Sequence, residues 1–316
     1  MVLRVLTLLM VSTMLIGCGS DGQGSDRDPS EQDSRAAAAD SDLGGRLLFS
    51  RFDESTHTFI STHVSRPDGS EEVEVPMPGP EGGGRWSRSG AHIAVMTVLP
   101  DDRIGTAIIT PEGDVERVLE IPDPTLNLVC TVWSPDDKRL ACEGWDDKDP
   151  ARAGMYTVRA SDGAALVRLT EPPGGFGDLP GDYSPDGESL VFKRGQGEEG
   201  GTLMQVPIRG GKVKTLYDEP VDDAGRFSPD GSTILTSDGV KLLLIDLEDG
   251  TLQGEVSRTG YNLFGAVWSP DGSAIAYSAG QGGPFADVFT SRPDGSEAHQ
   301  VTSTPDNEIR IEWGAD

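Results

Sequence analysis

One pattern, an aromatic residue followed by Ser-Pro-Asp-Gly, returns at intervals along the chain and limits what it can fold into. It reads Trp133-Ser134-Pro135-Asp136-Asp137, Tyr183-Ser184-Pro185-Asp186-Gly187, Phe227-Ser228-Pro229-Asp230-Gly231 and Trp268-Ser269-Pro270-Asp271-Gly272. Trp86-Ser87-Arg88-Ser89-Gly90 is a degraded copy and Trp313-Gly314 a truncated one. Short apolar segments flank the intact copies. Pro presets φ for the first corner of a type I turn, Asp suits the second, and Gly takes the left-handed position. Each copy is therefore expected to close a hairpin with a three-residue loop.

The aromatic anchors 86, 133, 183, 227, 268 and 313 are separated by 47, 50, 44, 41 and 45 residues. A second series of turns, from Asp68-Gly69 to Asp294-Gly295, runs out of phase with the first. Two hairpins per period make four strands, and a period of about 40 to 50 residues is that of a propeller blade. With 41 Gly and 22 Pro among 316 residues, the chain is punctuated too densely for long helices. An open solenoid would need caps at both apolar ends, and no cap sequence is evident. The expectation is an all-β, six-bladed β-propeller with four-stranded blades over residues 46–316.

These repeats resemble the TolB-like family of six-bladed β-propellers, over about residues 46 to 314. The resemblance implies an envelope-associated binding role. It departs from TolB proteins in one respect, because residues 19–45 are too short and polar to supply their N-terminal α/β domain. Phase predicts the ring closure. Arg46–Phe49 corresponds to the strand after a motif turn and Ile309–Trp313 to the strand before one. The C-terminal strand should thus join strands near 46–52, 57–64 and 71–75 as the innermost member of one blade.

Ahead of the repeats, residues 1–17 place Arg4 before an apolar run ending in Leu15-Ile16-Gly17-Cys18. The run is too short for a comfortable membrane span and reads as a signal peptide. Its end is similar to the lipobox of bacterial lipoproteins, which implies lipid attachment at Cys18; an ordinary signal peptide with an incidental Cys is the other reading. Residues 18–45, rich in Gly, Ser, Asp, Gln and Ala, are expected to form a disordered acidic tether. The protein would then be exported and held on a bacterial membrane by its lipid alone, on the periplasmic side or the outer cell surface.

The formal net charge of -27 argues against nucleic acid and anionic membrane surfaces as partners. No G-x-S-x-G elbow, H-E-x-x-H or paired C-x-x-C motif is present. His57 and His63, six apart on an expected strand, would lie about 20 Å from each other and could not share a metal. No catalytic residues, metal or cofactor are therefore expected. An enzyme reading, a metal-dependent lactone hydrolase or uronide lyase on a propeller, would need inward-facing ligands that the chain does not plainly supply. Symmetric pairing about Asp136 places Cys130 opposite Cys142, either as a disulfide or as two buried thiols.

Acidic residues gather in the loops between each blade's second and third strands and before each innermost strand. Asp53-Glu54, Asp101-Asp102, Asp146-Asp147 and Glu198-Glu199 belong to the first set; Asp218-Glu219, Asp222-Asp223 and Asp306 with Glu308 belong to the second. By analogy with propellers these loops share one face. Trp145, Asp146, Asp147, Asp222, Asp223 and Asp306 are the candidate rim for an envelope protein or basic peptide, bound by a monomer. The alternative is a solvated acidic surface that keeps an exported protein soluble.

Overall fold

The computed structural model describes residues 43–316, except 54, 176, 196–199 and 283–284. The expected signal peptide, Cys18 and most of the expected tether lie outside the described residues, as do Glu54, Glu198 and Glu199. Six four-stranded antiparallel sheets form the ring, with strands in chain order within five of them. We number the blades from the N-terminus: blade 1 at 46–75, blade 2 at 85–118, blade 3 at 127–168, blade 4 at 178–221, blade 5 at 226–256 and blade 6 at 262–300. The closing strand Asn307–Gly314 pairs antiparallel with Arg46–Phe52 and becomes the innermost strand of blade 1, as the phase of the repeat requires. Asp316 fastens the seam by accepting the Gly45 N–H at 3.1 Å and pairing with Arg66 at 2.7 Å.

There is no single central core. Apolar side chains collect in six clusters, each at the seam between consecutive blades. Leu47 and Leu48, adjacent on one strand and both fully buried, show why. Alternation sends Leu47 to the seam with blade 6, beside Val267 and Trp313, and Leu48 to the seam with blade 2, beside Trp86 and Ile93. Inner strands are thus apolar on both faces and read as continuous runs.

The motif turns differ from expectation by one residue. Ser134 N–H donates to Arg139 O at 2.9 Å and Trp133 pairs with Leu140, so four residues, not three, bridge the strands. The serine explains the extra residue. Its hydroxyl accepts the Arg139 N–H at 2.9 Å and donates to Asp136 at 2.8 Å, taking over a ladder position from the backbone. Tyr183, Phe227 and Trp268 precede the same arrangement, with Ser–Asp contacts of 2.6, 2.6 and 2.7 Å. Three-residue loops occur in the second turn series, as in Arg66 N–H to Ser70 O and Arg292 N–H to Ser296 O.

A register shift between Cys130 and Val132 compensates for the longer loop, leaving Cys130 directly opposite Cys142. Their Sγ atoms stand 2.08 Å apart as a disulfide. Equivalent shifts fall at Gly181, between Phe264 and Val267, and at Arg310, so the bulge recurs in innermost strands. Further corrections are local. The second strand of blade 1 runs Phe59–Ser65, leaving His57 in the preceding turn with φ 54°, and Asp218 and Glu219 lie on the strand Lys214–Val221 rather than in a loop.

Candidate functional site

The ring has two dissimilar ends. At the first, the loops that follow each second strand and precede each innermost strand carry the candidate acidic rim. The structure does not bring its six residues together: Trp145, Asp146 and Asp147 belong to blade 3, Asp222 and Asp223 precede blade 5, and Asp306 precedes the closing strand of blade 1. These are alternate blades, so the residues stand at separate points of one rim.

Their environments also differ. Asp146 is buried, accepting hydrogen bonds from Thr125 Oγ1 at 2.7 Å, Lys148 N–H at 2.8 Å and Arg152 Nη1 at 2.8 Å. These donors, Thr125 foremost, hold its carboxyl down at about 2. Asp223 accepts Ser237 Oγ and the Gly265 N–H, both at 2.8 Å, and thereby ties blade 5 to blade 6. Burial nevertheless pushes its carboxyl up. Both are loop fasteners. Asp147 and Asp222 are exposed and Asp306 is half-buried. Trp145 is the half-buried last residue of the strand Arg139–Trp145, opposite Asn127, and not a loop residue.

Inside this end lie further charged residues beyond the candidate rim. Asp178, fully buried, holds Arg194 through two contacts of 2.7 Å. Glu143 faces the same space, and burial followed by the Asp178 charge raises its carboxyl to about 7. On blade 1, Ser61 Oγ is 2.8 Å from His63 Nε2 and His63 Nδ1 is 2.9 Å from Glu72 Oε1, the connectivity of a hydrolase triad. The Arg51 guanidinium stands 3.2 Å from the same Nε2. Burial and then the Arg51 charge push the imidazole pKa down. Arg51 also binds the fully buried Glu308 at 2.8 Å, so the group fastens the closing strand to the rest of blade 1. Among the described residues no three His, Cys, Asp or Glu are grouped to hold a metal ion.

The second end, formed by the motif turns, opens on a cavity of about 300 Å³ lined by residues of all six blades. Its ring is built from the residue immediately before each anchor: Glu312, Arg85, Val132, Asp182, Arg226 and Val267 in order around the axis. The anchor turns into the seam with the blade before, so alternation points the preceding residue toward the next blade at the channel wall, where Val132 and Val267 also pack into the following seam. The charges are connected across the axis. Arg226 contacts Glu312, and Arg85 Nε approaches the same carboxylate at 3.3 Å. Arg85 and Arg226 both donate to Gly181 O, and Arg88, from the degraded motif, reaches Asp182. Burial, and next the Arg226 charge, lower the Arg85 pKa to about 10. The shared place of Arg85, Asp182, Arg226 and Glu312, one residue before an anchor, was the available sequence signal.

The chain also enters at this end. Trp313, which lines the cavity, donates its indole N–H to Gly44 O at 3.0 Å, and Gly90 of the motif turn lies against Ala315. The N-terminal side of the described chain therefore meets the propeller on the face opposite the acidic loops.

No protein-family model matches the chain. It is 27% identical over 172 residues to the uncharacterized peptidase YuxL of Bacillus subtilis, a match covering 54% of this chain and 23% of that protein. The matched segment is thus under a quarter of the relative's length. Among solved structures it is similar to TolB from Acinetobacter baumannii, with a TM-score of 0.67 and 17% identity, covering 90% of this chain and 71% of that one. A chain of a nidogen/laminin complex superposes with a TM-score of 0.62 and 9% identity, covering 86% and 98% respectively. The fold is that of a TolB-like six-bladed propeller.

Proposed function

We propose that this chain is an exported, lipid-anchored and non-catalytic propeller that presents its acidic loop face to a basic protein or peptide of the cell envelope. The observation that carries the reading is the opposition of the two faces. Gly44 and Gly45 sit among the motif turns, so a lipid at Cys18 would tether the protein from that face and leave the acidic loops pointing away from the membrane. A formal charge of -27 favours attraction of a basic partner over a distance set by salt. Asp147, Asp222 and Asp306 are the recognition charges in this reading, while Asp146 and Asp223 hold the loops that carry them. The likeness to TolB and to a protein-complex propeller supports a binding role.

The metal-dependent hydrolase or lyase reading finds less support, since the described carboxylates and imidazoles pair with Arg, Ser and Thr instead of grouping around a common point. The peptidase relative shares only the segment matched here.

Two experiments test the proposal. Cys18→Ser should shift the protein from the membrane to the soluble exported fraction or leave an unprocessed precursor; a processed variant still bound to the membrane would overturn the anchor. A partner captured from detergent-solubilised membranes should associate several-fold more slowly with the Asp147→Asn/Asp222→Asn variant, with weaker salt dependence. An unchanged rate and salt dependence would reduce these carboxylates to surface solvation.

A further inference from the structure

We infer that the cavity among the motif turns is a binding site for a carboxylate carried on a flat apolar body, anchored by the guanidinium groups of Arg85, Arg88 and Arg226. In a chain whose formal charge is -27, the wall of this cavity carries three guanidiniums against two carboxylates, Asp182 and Glu312. It is a local excess of one positive charge within an acidic protein.

The excess is geometrically poised. Glu312 serves both Arg85 and Arg226, and the same two guanidiniums crowd one backbone carbonyl, that of Gly181. Among the described residues, Arg85 Nη2 and Arg226 Nε donate to no protein acceptor. A carboxylate reaching this level would meet unused planar donors, the geometry in which guanidinium groups recognise carboxylates best. Arg88, with its side chain 45% exposed in the turn above, can follow the ligand in.

The remaining wall selects the rest of the molecule. Val132 and Val267 fill the two uncharged ring positions, and indoles and prolines of the motif turns line the rim. Such a wall would strip water from an inorganic anion without replacing it, but it suits a ring or an apolar side chain. A volume of about 300 Å³ is at the small end of ligand sites. A free aromatic carboxylic acid and the C-terminus of a peptide ending in an aromatic residue present the same chemistry.

Four of the five tryptophans, Trp86, Trp133, Trp268 and Trp313, line the cavity, so intrinsic fluorescence reports on it directly. The purified protein is titrated with benzoate against benzamide, and with the tripeptide Ala-Ala-Phe against its C-terminal amide. We expect a saturable change with at least one charged member and binding at least tenfold weaker for its neutral counterpart; the tighter pair identifies the source. Arg88→Gln, a change in an exposed turn, should weaken the charged ligand about tenfold. Arg226→Gln should do the same if it folds. Equal binding of charged and neutral members, no saturable change with any of the four, or wild-type affinity in Arg88→Gln would overturn the inference. The acidic face lies at the opposite end, so failure here leaves that proposal standing.

Discussion

The carboxylate of Asp137 in blade 3 accepts the backbone N–H groups of Arg88 and Ser89 in blade 2, at 2.7 and 3.0 Å. Both partners depart from the repeat: Asp137 stands where other copies have Gly, and Arg88 where they have Pro. Elsewhere the turn Gly of one blade packs toward the turn Pro of the blade before, as Gly231 does on Pro185 and Gly272 on Pro229. Pro has no N–H to give, so the departure at Arg88 provides a donor that the departure at Asp137 uses. One apolar contact between blades has been exchanged for a polar one.

The exchange predicts coupling between the two sites. Arg88→Pro alone should cost about 1 kcal/mol, because Asp137 loses a backbone donor. Asp137→Gly should be milder, since Gly relieves the left-handed φ of 57° while surrendering the hydrogen bonds. The double variant restores the repeat and should be more stable than the sum of the single changes by at least 0.5 kcal/mol, about the threshold of a measurable cycle. Strict additivity in denaturant unfolding would show that the two departures are independent.

The ring charges are predicted to be structurally costly to break. Glu312→Gln leaves Arg85 and Arg226 facing each other without their shared carboxylate and should destabilise by about 3 kcal/mol. Glu297→Gln removes an exposed partner of Arg292 and should cost no more than about 0.5 kcal/mol. Comparable losses in the two variants would mean that the channel is wet enough to screen its ions.

Blade number, strand order and closure were legible because each rests on a turn that only a few residue types can make. Loop length was not, because it depends on where the Ser134 hydroxyl finds its donor. The acidic rim shows the same limit. Asp146 and Asp147 are neighbours of one residue type, yet only Asp146 meets Thr125 and Arg152, which arrive from other segments. The ring of charges was readable in principle, since Arg85, Asp182, Arg226 and Glu312 all precede an anchor by one. That charge lies on the inner strands, outside the motifs and loops where chemistry is usually marked in sequence.

The Cys130–Cys142 bridge closes a segment of sequence separation 12 within one blade. Replacing both residues by Ala should lower unfolding stability by about 2 to 3 kcal/mol, chiefly through the unfolded state. The variant should also lose the sensitivity to reductant that the wild type shows. Equal stability with and without reductant in the wild type would remove any role for the bridge.

Closure by the C-terminal strand makes the last residues indispensable. Deleting 310–316 removes buried Ile311 and Trp313, the pairing of Leu47 and Leu48, and the Asp316 contact with Gly45. The strand Arg46–Phe52 would then be an open edge. The shortened protein should aggregate or unfold without a single cooperative transition, as light scattering and calorimetry would detect. A soluble, cooperatively unfolding product would contradict this account of the ring.

Glu143 predicts how stability changes with pH. Burial, with Asp178 nearby, raises its carboxyl from an ordinary 4.5 to about 7. Folding therefore favours the protonated form. Whatever Glu143 contributes is fully present below pH 4.5 and is lost as pH rises through 7, where the folded protein must hold a second negative charge beside Asp178. Glu143→Gln stays neutral throughout and should escape this loss. At pH 8 the variant should be the more stable protein by on the order of 2 kcal/mol, whereas at pH 4 the two should agree within a few tenths. Urea unfolding at the two pH values checks both halves. A stability difference that does not change with pH would show that the Glu143 carboxyl is solvated as it is in the unfolded chain.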